Sequence, residues 1–155
     1  MIAIICTGIS ASGKSTYADK WLSENTNCME INRDNIRRKL TLQSGKEWKW
    51  SNWNWSRESE VTEICNEDIL FAANCGFDII CSDTNLSTSR RNKMFSDLMD
   101  IGYEVSIKAF PIELEEAIRR DSLRDNPVGE SVIKRQYDQW KESFDVKSNP
   151  KTSSR

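Results

Sequence analysis

Gly8-Ile9-Ser10-Ala11-Ser12-Gly13-Lys14-Ser15 matches the pattern G-x-x-x-x-G-K-[ST] in full. In such a loop successive backbone N–H groups surround phosphate oxygens, the lysine reaches the terminal phosphates and the hydroxyl serves Mg²⁺. The candidate nucleotide contacts are therefore Gly8, Ser10, Ala11, Ser12, Gly13, Lys14, Ser15 and Thr16. An isoleucine-rich run precedes the loop and a helical stretch follows, so bound phosphate sits at a helix N-terminus, where backbone donors and the helix dipole favour an anion.

The other half of a phosphoryl transfer is an acceptor and a base. Histidine is absent, which excludes Ser-His and Cys-His nucleophilic sites and leaves a carboxylate as the expected base. Asp34 follows the short apolar stretch ending at Ile31, and Arg37 lies one helical turn onward. In a parallel α/β sheet ligands bind at the carboxyl ends of strands, so a carboxylate there can take the proton of an alcohol as it attacks the γ-phosphate. Arg37 could hold an acceptor phosphate. The competing reading makes Asp34 a helix cap paired with Arg37 or Arg38. Asp83 also follows an apolar run and is placed to hold Mg²⁺ with Ser15, directly or through water; pairing with a nearby cation is the alternative. Arg120 and Arg124 are four apart, so both can point to one side of a helix, and together with Arg119 they precede the turn at Asp125-Asn126-Pro127. They could close over ATP and stabilise developing charge, or serve as surface ion pairs.

Trp48, Trp50, Trp53 and Trp55 crowd into eight residues interleaved with Lys49, Asn52 and Asn54. Base stacking, core packing and a subunit contact are all open to them. The net charge is −2, yet Arg33 to Lys49 holds six basic residues (Arg33, Arg37, Arg38, Lys39, Lys46, Lys49) against Asp34 and Glu47. That local excess suits a phosphate-lined channel, or equally a solvated helix face. The five cysteines form no CxxC pair and read as buried reduced thiols of a cytoplasmic protein.

The elements that must position these residues follow from patterning. Ile2 to Thr7, Cys28 to Asn32, Asp78 to Ser82 and Glu104 to Phe110 read as short strands, the last by alternation. Helices are expected over Lys14–Glu24, Asp34–Leu42, Arg57–Cys75 with Gly76 as stop, from Ser87 as cap to Gly102, after Pro111, and over Gly129–Glu142. Strands alternating with helices imply a three-layer α/β/α domain on a mostly parallel sheet of four to five strands, with a helical lid. One domain is expected over 1–146, with a polar mobile tail over 147–155. No segment approaches the roughly 20 apolar residues needed to span a bilayer, so no membrane role is expected.

In this order the motifs resemble the kinase domain of T-even-type bacteriophage polynucleotide 5′-hydroxyl kinase, a P-loop kinase. The resemblance is carried by Gly8–Ser15, by Ile31-Asn32-Arg33-Asp34 with Arg37, by Ser82-Asp83-Thr84-Asn85-Leu86 with Arg90-Arg91, and by Arg120 to Arg124. It implies ATP and Mg²⁺ as cofactors, Lys14 and Ser15 as phosphate and metal contacts, and Asp34 as the base for the 5′-hydroxyl of DNA or RNA. It further implies Arg37 beside the first nucleic-acid phosphate, and Arg120 and Arg124 as lid arginines. Thr84 and Asn85 carry over more weakly as nucleic-acid contacts; Arg38, Trp48 and Trp50 are weaker candidates still, from the basic and aromatic composition and not from the resemblance. Ala11 stands where the phage enzyme has glycine, and the tryptophan segment has no counterpart there. The phosphatase motif D-x-D-G-T is absent, so 3′-end phosphatase activity is not expected. A homodimer or tetramer is compatible with the family. The other readings are a kinase for a small alcohol such as a nucleoside or sugar, and an ATP-binding module without turnover.

Overall fold

The computed structural model describes the backbone of residues 1–148 and side chains through residue 143. The chain alternates strand and helix: β1 (Ile2–Thr7), α1 (Lys14–Glu24), β2 (Cys28–Ile31), α2 (Arg33–Gln43), α3 (Glu58–Asn74), β3 (Asp78–Cys81), α4 (Thr88–Ile101), β4 (Glu104–Ala109), α5 (Leu114–Ser122) and α6 (Glu130–Ser148). Two single 3₁₀ turns, Trp50–Asn52 and Trp55–Arg57, lie between α2 and α3.

The four strands form one sheet in the order β2-β3-β1-β4, every pair parallel. Parallel strands with helices on both faces are buried on both sides, which is why β1 and β3 are continuous apolar runs. Ala3, Ile5, Cys6, Ile79 and Ile80 are fully buried. One face carries Ile31, Ile36, Leu40, Val61, Cys65 and Leu98 from β2, α2, α3 and α4. The other is divided between Cys6, Ala18 and Ile80 under α1, and Ile9, Ala117, Ile133 and Trp140 under α5 and α6. This is the P-loop kinase-like fold expected from the strand–helix alternation, with four strands in the sheet.

Element edges agree with the sequence patterning where a local signal marks them. Ser87 caps α4 by accepting from the Arg90 N–H, and Gly102 ends that helix at φ 115°. Three expectations differ. The alternation of β4 is not matched by burial: all but Val105 of its residues are exposed, because it is the sheet edge with β1 as its one neighbour. Pro111 does not open a helix. Phe110 is still tied to the sheet through its N–H to Thr7 O, and α5 starts at Leu114. The last helix continues past Glu142 to Ser148, so residues 147 and 148 of the expected tail are helical and the remainder lies outside the described residues. The cysteines are all free: Cys6, Cys65 and Cys81 buried, Cys28 half-buried and Cys75 exposed. Burial pushes the Cys6 and Cys65 thiols up to about 11, which leaves them unreactive.

Candidate active site

The carboxyl ends of β1, β2 and β3 open onto one cavity of about 640 Å³. The phosphate loop forms its floor. Gly13 (φ 101°) starts α1, and Ala11 also takes a positive φ of 63°, backbone turns of the kind that form anion-binding concavities. Gly8 is required by space: a Cβ there would meet Ser12 Oγ at 2.7 Å and both Phe110 Cβ and its carbonyl O at 3.0 Å. Lys14 is buried and donates to Ile9 O at 2.6 Å and Ser12 Oγ at 3.3 Å. No carboxylate pairs with it among the described residues. Burial, reinforced by the Arg124 charge, lowers the Lys14 ammonium to about 8. A desolvated cation without a counter-ion fits a polyphosphate, whose binding would restore its ordinary basicity. Ser15 and Thr16 are exposed on the cavity wall beside it.

Asp83 stands at the end of β3. Its Oδ1 accepts the Arg33 N–H at 2.8 Å, its other oxygen has no protein donor among the described residues, and burial raises it to about 6. Among the described residues no group of three or more acidic, cysteine or histidine side chains could hold a metal. A lone carboxylate at Asp83 and the Ser15 hydroxyl, both on the cavity wall, fit Mg²⁺, which is commonly held by one or two protein oxygens plus substrate phosphates; these two residues would hold it.

A polar clasp sets the start of α2 against β3. Ser82 Oγ donates to Glu30 Oε2 at 2.6 Å and accepts from Asn32 Nδ2 at 3.0 Å, while Asn32 Oδ1 caps α2 through the Asn35 N–H at 2.9 Å. With Asn32 as the cap, Asp34 is left free of capping and its Oδ1 meets Arg37 Nη1 at 2.6 Å. Arg37 is also held by Glu58 in a two-pronged pair, Nε to Oε1 at 2.8 Å and Nη2 to Oε2 at 2.9 Å. Glu58 additionally accepts from Arg33 Nη2 and Trp53 Nε1, both at 2.9 Å. These donors, Arg37 foremost, hold the Glu58 carboxyl down to about 2.

The opposite wall is the α5–α6 hairpin. Asp121 is buried and accepts the N–H groups of Val128 and Gly129, each at 3.0 Å, closing the intervening loop. Arg120 pairs with Glu116 at 2.9 Å, and Arg124 lies 3.8 Å from Asp121. Both arginines line the cavity with Arg135 and Gln136, and Gln136 Oε1 accepts the Ser10 N–H at 2.8 Å, joining this wall to the phosphate loop.

The cavity thus brings together Ser10–Thr16, Asp34, Arg37, Trp50, Asp83, Thr84, Arg120 and Arg124. It does not include Asn85, Arg38 or Trp48. Asn85 adopts φ 45° and turns its amide inward to Cys6 O (2.7 Å) and Asp83 O (3.2 Å), so it shapes the loop from within. Arg38 is exposed outside the cavity, and Trp48 packs against the core. Gly8 lies just beneath the lining, its N–H donating to Thr84 O at 3.0 Å.

The AAA domain family matches residues 4–146. The chain belongs to this family. Over 142 residues it is 36% identical to a putative bifunctional polynucleotide kinase/RNA ligase of Autographa californica nuclear polyhedrosis virus; the match covers 86% of this chain and 20% of that protein. Among solved structures it is similar to a chain of the Pnkp1/Rnl/Hen1 RNA repair complex (TM-score 0.74, 23% identity, 92% of this chain and 45% of that one). It is also similar to the APS kinase CysC of Mycobacterium tuberculosis (TM-score 0.56, 20% identity, 79% of this chain and 69% of that one). The chain therefore spans about a fifth of the viral relative and under half of the repair-complex chain. Both structural likenesses are of fold.

Within this AAA domain, three contributors carry no readable sequence signal: Glu58, Arg135 and Gln136. Glu58 opens a long helix and looks like any acidic first-turn residue, while Gln136 is one polar residue on an amphipathic helix. Arg91 has no role of its own in the sequence pattern beyond following the Ser82–Leu86 block. It is buried, donates to Asn85 O at 2.8 Å and braces that loop, with its Nε lacking a partner.

Proposed function

We propose that this chain transfers the γ-phosphate of ATP to the 5′-hydroxyl of a DNA or RNA end. The observation that carries the reading is the opening of the Asp34–Arg37 pair into the same cavity as Lys14. A phosphate loop alone implies a donor; a carboxylate with an arginine beside it implies an alcohol acceptor that itself carries a phosphate. The 36% identity to the viral kinase/ligase supports a polynucleotide rather than a small alcohol.

In this reading Lys14 and the loop N–H groups bind and orient the ATP phosphates, and Arg120 and Arg124 approach from the facing wall to stabilise charge on the transferred group. Mg²⁺, when bound with ATP, neutralises phosphate charge beside Ser15 and Asp83. Asp34 accepts the proton of the 5′-hydroxyl, while Arg37 holds the phosphate that follows it. Arg37 is held by Asp34 and Glu58. An acceptor phosphate therefore competes with Asp34 for the Nη1 position and frees the carboxylate for its proton.

Substituting Asp34→Asn is expected to lower transfer to a 5′-hydroxyl oligonucleotide by at least about 10²-fold, with ATP affinity nearly unchanged. Labelled ATP offered with oligonucleotides, nucleosides and sugars tests both the base and the acceptor. Full transfer by the variant refutes the role of Asp34, and transfer only to a small alcohol refutes the polynucleotide.

A further inference from the structure

The four clustered tryptophans, Trp48, Trp50, Trp53 and Trp55, have different surroundings. Trp53 is buried and gives its indole N–H to Glu58, and Trp48 is half-buried, packed on the core and against the back of Trp50 with ring centroids 5.0 Å apart. These two are accounted for by folding. Trp50 and Trp55 are not: both line the polar cavity, and Trp55 is 61% exposed. Their rings lie 11° from parallel with centroids 6.1 Å apart. The Arg37 guanidinium carbon sits 6.0 Å from the Trp50 ring and 5.9 Å from the Trp55 ring. The pair is also fixed in place. Trp50 N–H donates to Asn126 Oδ1 at 3.3 Å, and Asn54 turns the chain before Trp55 by accepting from Ser56 N–H at 3.1 Å.

We propose that Trp50 and Trp55 form a stacking platform for a nucleobase of the acceptor strand, next to the phosphate held by Arg37. This rests on the polynucleotide reading above. An exposed indole costs free energy in water, and here it sits at a phosphate-binding cavity beside a cation. Within reach of a strand whose phosphate is on Arg37, the apolar group available to cover an indole face is a base. The centroid separation is short for insertion of a base between the rings, which calls for about 6.8 Å from two stacking distances near 3.4 Å. The base therefore stacks on the open face of Trp55, with Trp50 behind it. Every base has a π-face, so the platform supports binding without selecting sequence. Arg37, between phosphate and ring, couples the two contacts.

The test uses the intact chain with 5′-hydroxyl oligonucleotides, either fully based or carrying abasic residues in the first two positions. Stacking is worth enough that Trp55→Ala and Trp50→Ala should each raise the acceptor KM by about 5- to 150-fold. The KM for ATP should stay unchanged, and Trp55→Phe should recover most of the loss. The wild type should show a similar penalty for the abasic strand, and Trp55→Ala should show almost none. Binding of the based oligonucleotide should quench tryptophan fluorescence more than the abasic one does. Equal KM for based and abasic strands with the wild type overturns the platform even if a variant fails to fold. Transfer by the wild type with an abasic penalty that survives in Trp55→Ala also overturns it and leaves the kinase reading intact. If the wild type phosphorylates no oligonucleotide, the acceptor assignment fails first and this inference falls with it.

Discussion

Replacing Glu58 by Gln should weaken the fold in a way that depends on pH. Glu58 is pulled from its ordinary 4.5 to about 2 by hydrogen bonds from Arg37, Arg33 and Trp53 against some desolvation. If the unfolded chain titrates normally, that shift corresponds to an upper bound of roughly 3 kcal/mol, at about 1.4 kcal/mol per unit. The side chain is 30% exposed, so solvent screening reduces the expected contribution to about 1–3 kcal/mol. Because the folded-state value is depressed, the stabilisation is complete above pH 4.5 and is lost as pH falls toward 2. At neutral pH Glu58→Gln should therefore lower Tm by roughly 3–10 °C for a chain of this size. Urea unfolding of both proteins at pH 7 and pH 3 isolates the effect, since other carboxylates titrate alike in each. The gap at pH 3 should be less than half of that at pH 7. A gap that is equal at the two pH values, or absent at pH 7, would show that the Arg33–Glu58–Arg37 network contributes no electrostatic stability and refute the reasoning.

Two more outcomes follow from the cavity floor and the β3 carboxylate. Gly8→Ala should destabilise the protein by about 1–3 kcal/mol in urea unfolding, because the new Cβ meets the Phe110 backbone carbonyl at 3.0 Å as well as Ser12 Oγ. Wild-type stability there would mean the loop and β4 can separate freely. Asp83 has its folded-state value raised by burial to about 6, so its charge disfavours the folded state as pH rises from about 4 through 6. Asp83→Asn should then be more stable than the wild type by up to about 3 kcal/mol at pH 8, shrinking to about half a kcal/mol or less at pH 4, while losing the rise in Mg²⁺ affinity between pH 5 and 7 that calorimetry should find in the ATP-loaded wild type. Equal stability at pH 8 would refute the burial cost assigned to this carboxylate.

What could be read without coordinates was whatever short-range chemistry dictates. The phosphate loop needs its glycines, lysine and hydroxyl at fixed spacing, so eight consecutive residues identify it. Ser87 and Gly102 bracket α4 because capping is decided within one turn, and the isoleucine-rich runs at β1 and β3 read as buried parallel strands. The pairing of Asp34 with Arg37 follows from helical spacing. The tertiary structure decided which of these face one another. Glu58 meets Arg37 across 21 positions and Gln136 meets the phosphate loop across 126, distances over which composition carries no register. Four tryptophans within eight residues looked alike in sequence. Trp53 is buried, Trp48 half-buried on the core, and Trp50 and Trp55 lie beside Arg37, an arrangement around two 3₁₀ turns that has no periodic signature. Asn85 shows the same boundary from the other side: its place in a motif marked it as a ligand contact, and its φ of 45° turned it inward to hold the loop. Residue type and spacing settled what chemistry was available, and long-range packing settled which groups share a cavity, because only packing fixes the position of one element against another.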